Sequence, residues 1–225
     1  MNSDELVRIH LALECVGISA DGLLVRIPGP EPDDIARLFV VQHDGGCFAY
    51  ARADLPLSVR QRLSAVPPEA ALREVSLIQS ILAEHAICES VAQGKAYVFS
   101  ETPSPADYPD VIRLHREDRT LVERFDPGLT AFLEKRPVFS VIVERKIVAA
   151  CVSAREDHAA AEAWVQTAPD FRRRGYARQA TAAWAHHLQQ QGKIPFYSHL
   201  LDNLASEALA RSLGLIPYKT ETAYR

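Results

Sequence analysis

The second half of this chain carries the clearer pattern of apolar and polar positions. Val138–Val143 is strongly β-prone, and Ile147–Ser153 is a second such run. The charged triplet Glu144-Arg145-Lys146 separates them, so 138–153 reads as a β-hairpin. Val111–His115 reads as a strand before it, and Thr120–Arg124 and Gly128–Glu134 as helical stretches. Beyond the charged loop Arg155–His158 comes a strand over Ala161–Thr167, then an arginine-rich turn. A long helix over Arg178–Gln191 follows, which Gly192 and Pro195 end. Phe196–Leu200 reads as a strand. Leu204–Leu213 reads as a helix, with Asn203 placed to cap its start and Gly214 placed just past its end. Ile216–Ala223 is the last strand-like run.

The first half is less regular. Leu6–Val16 reads as a short helix and Gly22–Ile27 as a strand ended by Pro28-Gly29-Pro30. Ala36–Gln42 and Cys47–Arg52 read as a hairpin around the turn His43-Asp44-Gly45-Gly46. Asp54–Pro67 holds a short helix between prolines. Leu72, Val75, Ile78, Ile81 and Leu82 recur at helical spacing and predict one helix over Glu69–Glu89. Ala96–Phe99 is a short strand. Thr102–Pro109 contains prolines at 103, 105 and 109, and the main boundary is placed there. The expected domains are therefore an N-terminal extension over 1–101 and a second domain over 107–225.

Composition narrows the classes. Hydrophobic residues are 48% and charged residues 24% of the chain, the balance of a soluble globular protein. A formal net charge of -4 argues against a protein that coats nucleic acid or a membrane surface. No apolar run approaches the roughly 18 residues of a membrane span, and the acidic N-terminus is not a secretory signal. Cys15, Cys47, Cys88 and Cys151 form no CxxC pair and are expected as reduced thiols in the cytoplasm. No histidine pair has ligand spacing supported by cysteine or carboxylate, so no metal is expected.

The segment that carries chemistry is the strand, loop and helix over 161–191. Three consecutive arginines, Arg172, Arg173 and Arg174, immediately precede a helix start. The helix dipole is positive there, so cations are unfavourable unless an anion sits among them. Exposed N–H groups at a helix start with cations beside them suit a phosphate. Gly175 lets the backbone come close to such a ligand, and Ala177 keeps the first turn small.

Arg172-x-x-Gly175-x-Ala177 resembles the Arg/Gln-x-x-Gly-x-Gly/Ala motif of the GNAT superfamily of acetyltransferases. The order around it also resembles the family: a hairpin, a strand, this loop, a helix, a strand, and a helix opening at Asn203 and closing at Leu213-Gly214-Leu215. The resemblance covers about 107–225 and is nearest to bacterial small-molecule enzymes. It implies an α/β (α+β) fold: a mixed, mostly antiparallel sheet with splayed central strands flanked by helices, here with an N-terminal α/β extension. It implies acetyl-CoA as acyl donor. Val165, Gln166 and Thr167 would pair with its pantetheine arm. Arg172, Arg173, Arg174, Gly175, Tyr176, Ala177 and Arg178 would hold its pyrophosphate. Asn203 and Ser206 would contact the pantetheine or the adenosine side.

The implied reaction is direct acetyl transfer to a primary amine of a small molecule. The amine must lose a proton to a base, and the oxyanion needs a donor, for which the backbone N–H near Val165 is placed. The catalytic candidates are Glu162, Ser198, His199 and Tyr218. Strand alternation puts Glu162, Trp164 and Gln166 on one face and Ala161, Ala163 and Val165 on the other. The chain departs from the family where many members carry a tyrosine acid: that position is Ala210. It also has room for one closing strand instead of two. An N-terminal strand or a second subunit is expected to cover that sheet edge, and a homodimer is one form this takes. The competing readings are a non-catalytic acyl-CoA sensor and a protein or peptide N-acetyltransferase.

Overall fold

The structure is a computed structural model that describes residues 1–28, 35–100, 108 and 110–225. The proline-rich boundary Thr102–Pro109 and the Pro28-Gly29-Pro30 stop fall largely outside the described residues. The chain is an α/β protein with a large, mostly antiparallel sheet flanked by helices. In order it forms α1 (Ser3–Leu13), β1 (Val16–Ile18), β2 (Leu24–Arg26), β3 (Leu38–His43), β4 (Gly46–Ala51), α2 (Leu57–Ser64), α3 (Pro68–Ala71), α4 (Val75–Ala83) and β5 (Val91–Val98). Then come β6 (Val111–Leu114), α5 (Arg119–Phe125), β7 (Val138–Val143), β8 (Lys146–Glu156), β9 (Ala160–Thr167), α6 (Tyr176–Gln190), β10 (Ile194–Leu200), α7 (Leu204–Ser212) and β11 (Ile216–Tyr224).

The chain divides into two compact units. The first comprises 1–96, 198–203 and 217–225, and the second 97–197 and 204–216. In the first unit, β3 and β4 form the hairpin expected from the Gly45-Gly46 turn, with His43 opposite Gly46. The edge of β11 is taken by β3, which runs antiparallel to it from Thr220↔Gln42 to Tyr224↔Leu38. Leu38, Val40, Leu63, Ile78, Leu82 and Tyr224 form the apolar cluster of this unit. The Tyr224 hydroxyl donates to the Ala71 carbonyl.

The helix expected over Glu69–Glu89 is instead two shorter helices, α3 and α4. No proline or glycine breaks it. Glu74 leaves helical geometry at φ -94° and ψ 58°, and the far end is held by long-range bonds instead. The buried Arg37 guanidinium donates to the carbonyls of Ala86 (2.7 Å) and Ile87 (2.5 Å). The Glu89 N–H donates to the Arg225 carbonyl at 2.8 Å. Carbonyls engaged this way no longer serve a continuing helix. Three further differences are local. β1 has no counterpart among the expected elements. Gly128–Glu134 becomes a 3-10 turn over Pro127–Ala131, closed by the Asp126 carboxylate accepting from the Gly128 N–H at 2.7 Å. β8 continues through Arg155 and Glu156, so the charged loop is shorter than read.

In the second unit the strand order is β10-β9-β8-β7-β6. The β7–β8 turn places Glu144 (φ 50°) and Arg145 (φ 61°) in the left-handed region, the geometry of tight hairpins that match strand twist. One face packs on α6, with Cys151, Ala161, Ala180, Ala183, Trp184 and Leu188 in one cluster. Val138, Ala150 and Val152 pack instead with Val122 of α5 and Leu129 of the 3-10 turn. Small residues on α6 let it lie close to the sheet, and Trp184 fills the remaining space.

Candidate functional site

β9 and β10 run parallel but pair only briefly. Their register is Ile194↔Ala160, Pro195↔Ala161 and Phe196↔Glu162, and there it ends. β9 continues to Thr167 with β8 on one side, where Val165 pairs with Cys151, Gln166 with Ala150 and Thr167 with Ala149. Past Glu162 no strand among the described residues is in register with the other edge of β9. Such an edge can accept an extended ligand bearing amides, as an added strand would be accepted.

The chain then passes from Ala168 through a 3-10 turn, Pro169–Phe171, to the start of α6. This helix start has no side-chain cap. The first intrahelical bond is Gln179 N–H to Gly175 carbonyl, 3.1 Å, so the N–H groups of Tyr176, Ala177 and Arg178 face out of the helix end. Arg173 (φ 61°) and Gly175 (φ 82°) are both left-handed. Arg173 pays about 1 kcal/mol for that, as a residue with a Cβ. A Cβ built on Gly175 meets nothing within 4 Å, so the space before the helix is open. Arg172, Arg173 and Arg174 are all exposed. Arg174 stacks its guanidinium over Phe171, 5.3 Å from the ring centre. Arg178 points elsewhere and donates to the Ser212 carbonyl at 3.0 Å, tying α6 to the end of α7. An uncapped helix start, two left-handed residues and three exposed cations together make an anion cradle.

The two faces of β9 are now distinguished. Ala161, Ala163 and Val165 belong to the cluster on the α6 side. Glu162, Trp164 and Gln166 lie on the other face, beside Val152 and Ala150 of β8. Glu162 is buried, 5% exposed, at the last rung before β10 departs. Its carboxylate accepts from Arg155 Nη1 at 2.6 Å. The Oε1 of Gln166 is buried without a hydrogen-bond partner among the described residues.

Asn203 and Ser206 sit at the start of α7. Asn203 is exposed, and its N–H donates to the Leu200 carbonyl at 2.9 Å. Ser206 is half-buried and hydrogen-bonds the Tyr197 side chain. α7 closes as the sequence suggests: Gly214 (φ 66°) donates to Arg211 and Leu215 to Ala210, both at 3.1 Å.

The remaining catalytic candidates belong to the first unit. His199 is buried, with Nδ1 2.8 Å from the Leu200 carbonyl. Ser198 is half-buried. Tyr218 is buried, and its hydroxyl bonds His10 Nδ1. Glu162, Val165–Thr167, Arg172–Ala177 and Ser206 all belong to the second unit, and the Arg178 side chain bonds the end of α7. Sequence reasoning missed Arg155 as the partner of Glu162; that contact depends on the β8–β9 register and carries no local motif. Among the described residues, no group of three or more His, Cys, Asp and Glu is placed to hold a metal ion. No helix of the described residues is long and apolar enough to cross a membrane.

A family model described as GNAT acetyltransferase matches residues 92–225. No curated protein matches the sequence. Among solved structures, an acetyltransferase of the GNAT family from Colwellia psychrerythraea aligns at TM-score 0.52 and 13% identity, over 100% of this chain and 97% of that one. A GCN5-related N-acetyltransferase-like protein from Streptococcus suis aligns at TM-score 0.51 and 18% identity, over 84% of each chain. A putative acetyltransferase from Novosphingobium aromaticivorans aligns at TM-score 0.52 and 18% identity, over 60% of this chain and 65% of that one. At such identities the likeness is one of fold.

Proposed function

We propose, from the premise that this chain belongs to the GNAT acetyltransferase family, that it transfers an acetyl group from acetyl-CoA directly to a primary amine of a small molecule. The observation that carries the reading is the uncapped, arginine-fronted start of α6 beside the free edge of β9. In this reading the pyrophosphate takes the place of the missing helix cap, bound by the N–H groups of 173–178 and screened by Arg172, Arg173 and Arg174. The pantetheine amides pair with Val165, Gln166 and Thr167. The arm then runs back along β9 and brings the thioester toward Ala163 and Glu162, where the strands part.

Glu162 is the base of this scheme. It is buried at the point of divergence, on the face away from α6, and Arg155 holds its carboxylate in one orientation. The amine proton reaches it directly or through water. Replacing Glu162 with Gln is expected to lower kcat/KM by about 100-fold with the affinity for acetyl-CoA unchanged. Steady-state kinetics beside calorimetry checks this, and equal kinetics for the two proteins would remove Glu162 from the mechanism.

The test of function is thiol release from acetyl-CoA in the presence of separate small amines and of an amino-terminal peptide, with the products identified by mass. Acetylation of a small amine supports the reading. Turnover on the peptide alone would make the chain a peptide acetyltransferase, and binding without turnover would make it an acyl-CoA sensor.

A further inference from the structure

The first unit holds a cavity of its own, lined by residues between Asp21 and Val66. Its volume is about 410 Å³, inside the range of roughly 300–1,000 Å³ found for small-molecule sites. The floor is one face of the β3–β4 hairpin, where Ala51 stands opposite Leu38 and Ala49 opposite Val40. α2 packs in the same apolar cluster through Val59 and Leu63, both buried. Ala49 and Ala51 supply only methyl groups, so they stay half-buried and the space over them is unfilled. The other wall is the β1–β2 turn, Asp21-Gly22-Leu23. That turn is tied to the end of β4 by the Ala53 N–H, which donates to the Leu24 carbonyl at 2.9 Å.

Two opposite charges line this cavity. Arg60, on α2, is half-buried, and its Nε donates to the Leu55 carbonyl at 3.1 Å, which holds the guanidinium in place. Its terminal nitrogens meet no carboxylate among the described residues, whereas Arg52 pairs with Asp54 and Arg62 with Glu84. Asp21, on the turn, is exposed and meets no cation among the described residues. The two charges therefore share one cavity without pairing. A held guanidinium fork suits a carboxylate. A carboxylate suits an ammonium, and a methyl-lined floor suits an apolar side chain. An α-amino acid carries all three features.

We propose that this cavity binds a free α-amino acid with a large apolar side chain. The ligand's carboxylate meets Arg60, its ammonium meets Asp21, and its side chain lies over Ala49 and Ala51. The site is built within the first unit and does not depend on the acetyl-transfer reading.

The experiment is calorimetric titration of the whole chain, without acetyl-CoA, by leucine, phenylalanine and glycine. Two analogues accompany them: N-acetylleucine, which lacks the ammonium, and leucinamide, which lacks the carboxylate. Leucine or phenylalanine is expected to bind at least about 10-fold more tightly than glycine, because only they fill the apolar floor. Leucine should also exceed each analogue by roughly 10-fold. Asp21→Asn should erase the preference over N-acetylleucine and keep the preference over leucinamide. Arg60→Gln should do the reverse. Asp21 is exposed and makes no contact that its replacement would break, so the Asp21 arm stands even where the Arg60 variant folds poorly. No binding of leucine or phenylalanine at millimolar concentration overturns the proposal. So does binding that Asp21→Asn leaves unchanged for leucine and both analogues, which would place the amino acid elsewhere on the chain.

Discussion

Tryptophan in place of Gly175 is expected to abolish measurable acetyl-CoA binding. Two effects act together. Gly175 has φ 82°, where a residue with a Cβ costs about 1 kcal/mol. That part is modest, and alanine at the same position should show little more than it. The larger effect is steric. A Cβ on Gly175 points into open space before the α6 N-terminus, with nothing within 4 Å of it. An indole there occupies the volume in which the pyrophosphate would sit. Loss of at least 100-fold in affinity, about 2.7 kcal/mol, is expected by calorimetry, with thermal stability close to that of the alanine variant. Unaltered affinity in the tryptophan variant would mean that the arginine-rich turn holds no pyrophosphate.

The second large effect is on stability. Trp184 on α6 is fully buried and faces Phe99 edge-on, with ring centres 5.9 Å apart. Its indole N–H donates to Ser153 Oγ on β8 at 3.1 Å. Truncation to alanine removes the ring, leaves a cavity under the sheet and deprives a buried hydroxyl of its donor. Such changes cost about 3–5 kcal/mol, which is a large part of the roughly 5–15 kcal/mol that holds a domain folded. Trp184→Ala should lower the melting temperature by on the order of 10 °C. A shift of only a degree or two in thermal denaturation would show that α6 docks through the alanines rather than the tryptophan.

Much of the second unit was legible because its signals are local. The β-branched runs on either side of Glu144-Arg145 specify a hairpin, and Asn203 and Gly214 mark both ends of α7. The candidate anion loop was legible for the same reason: three arginines and a glycine before a helix are unfavourable unless an anion joins them. What stayed hidden depends on pairing between distant segments. Nothing in Ile216–Ala223 names β3 as its neighbour, and only the β11–β3 register reveals it. The break between α3 and α4 has no breaker in the sequence, and the end of α4 is set by Arg37, which lies far earlier in the chain. Glu162 was visible as a carboxylate in a strand, but its face and its Arg155 partner came from the β8–β9 register.

Hydrogen–deuterium exchange on the whole chain, with and without acetyl-CoA, tests the central claim most directly. Bound acetyl-CoA should slow exchange at two backbone segments, Val165–Thr167 along the free edge of β9 and Arg173–Arg178 at the start of α6. Protection confined to other segments, or none at saturating acetyl-CoA, would contradict the placement of the cofactor on this edge and loop.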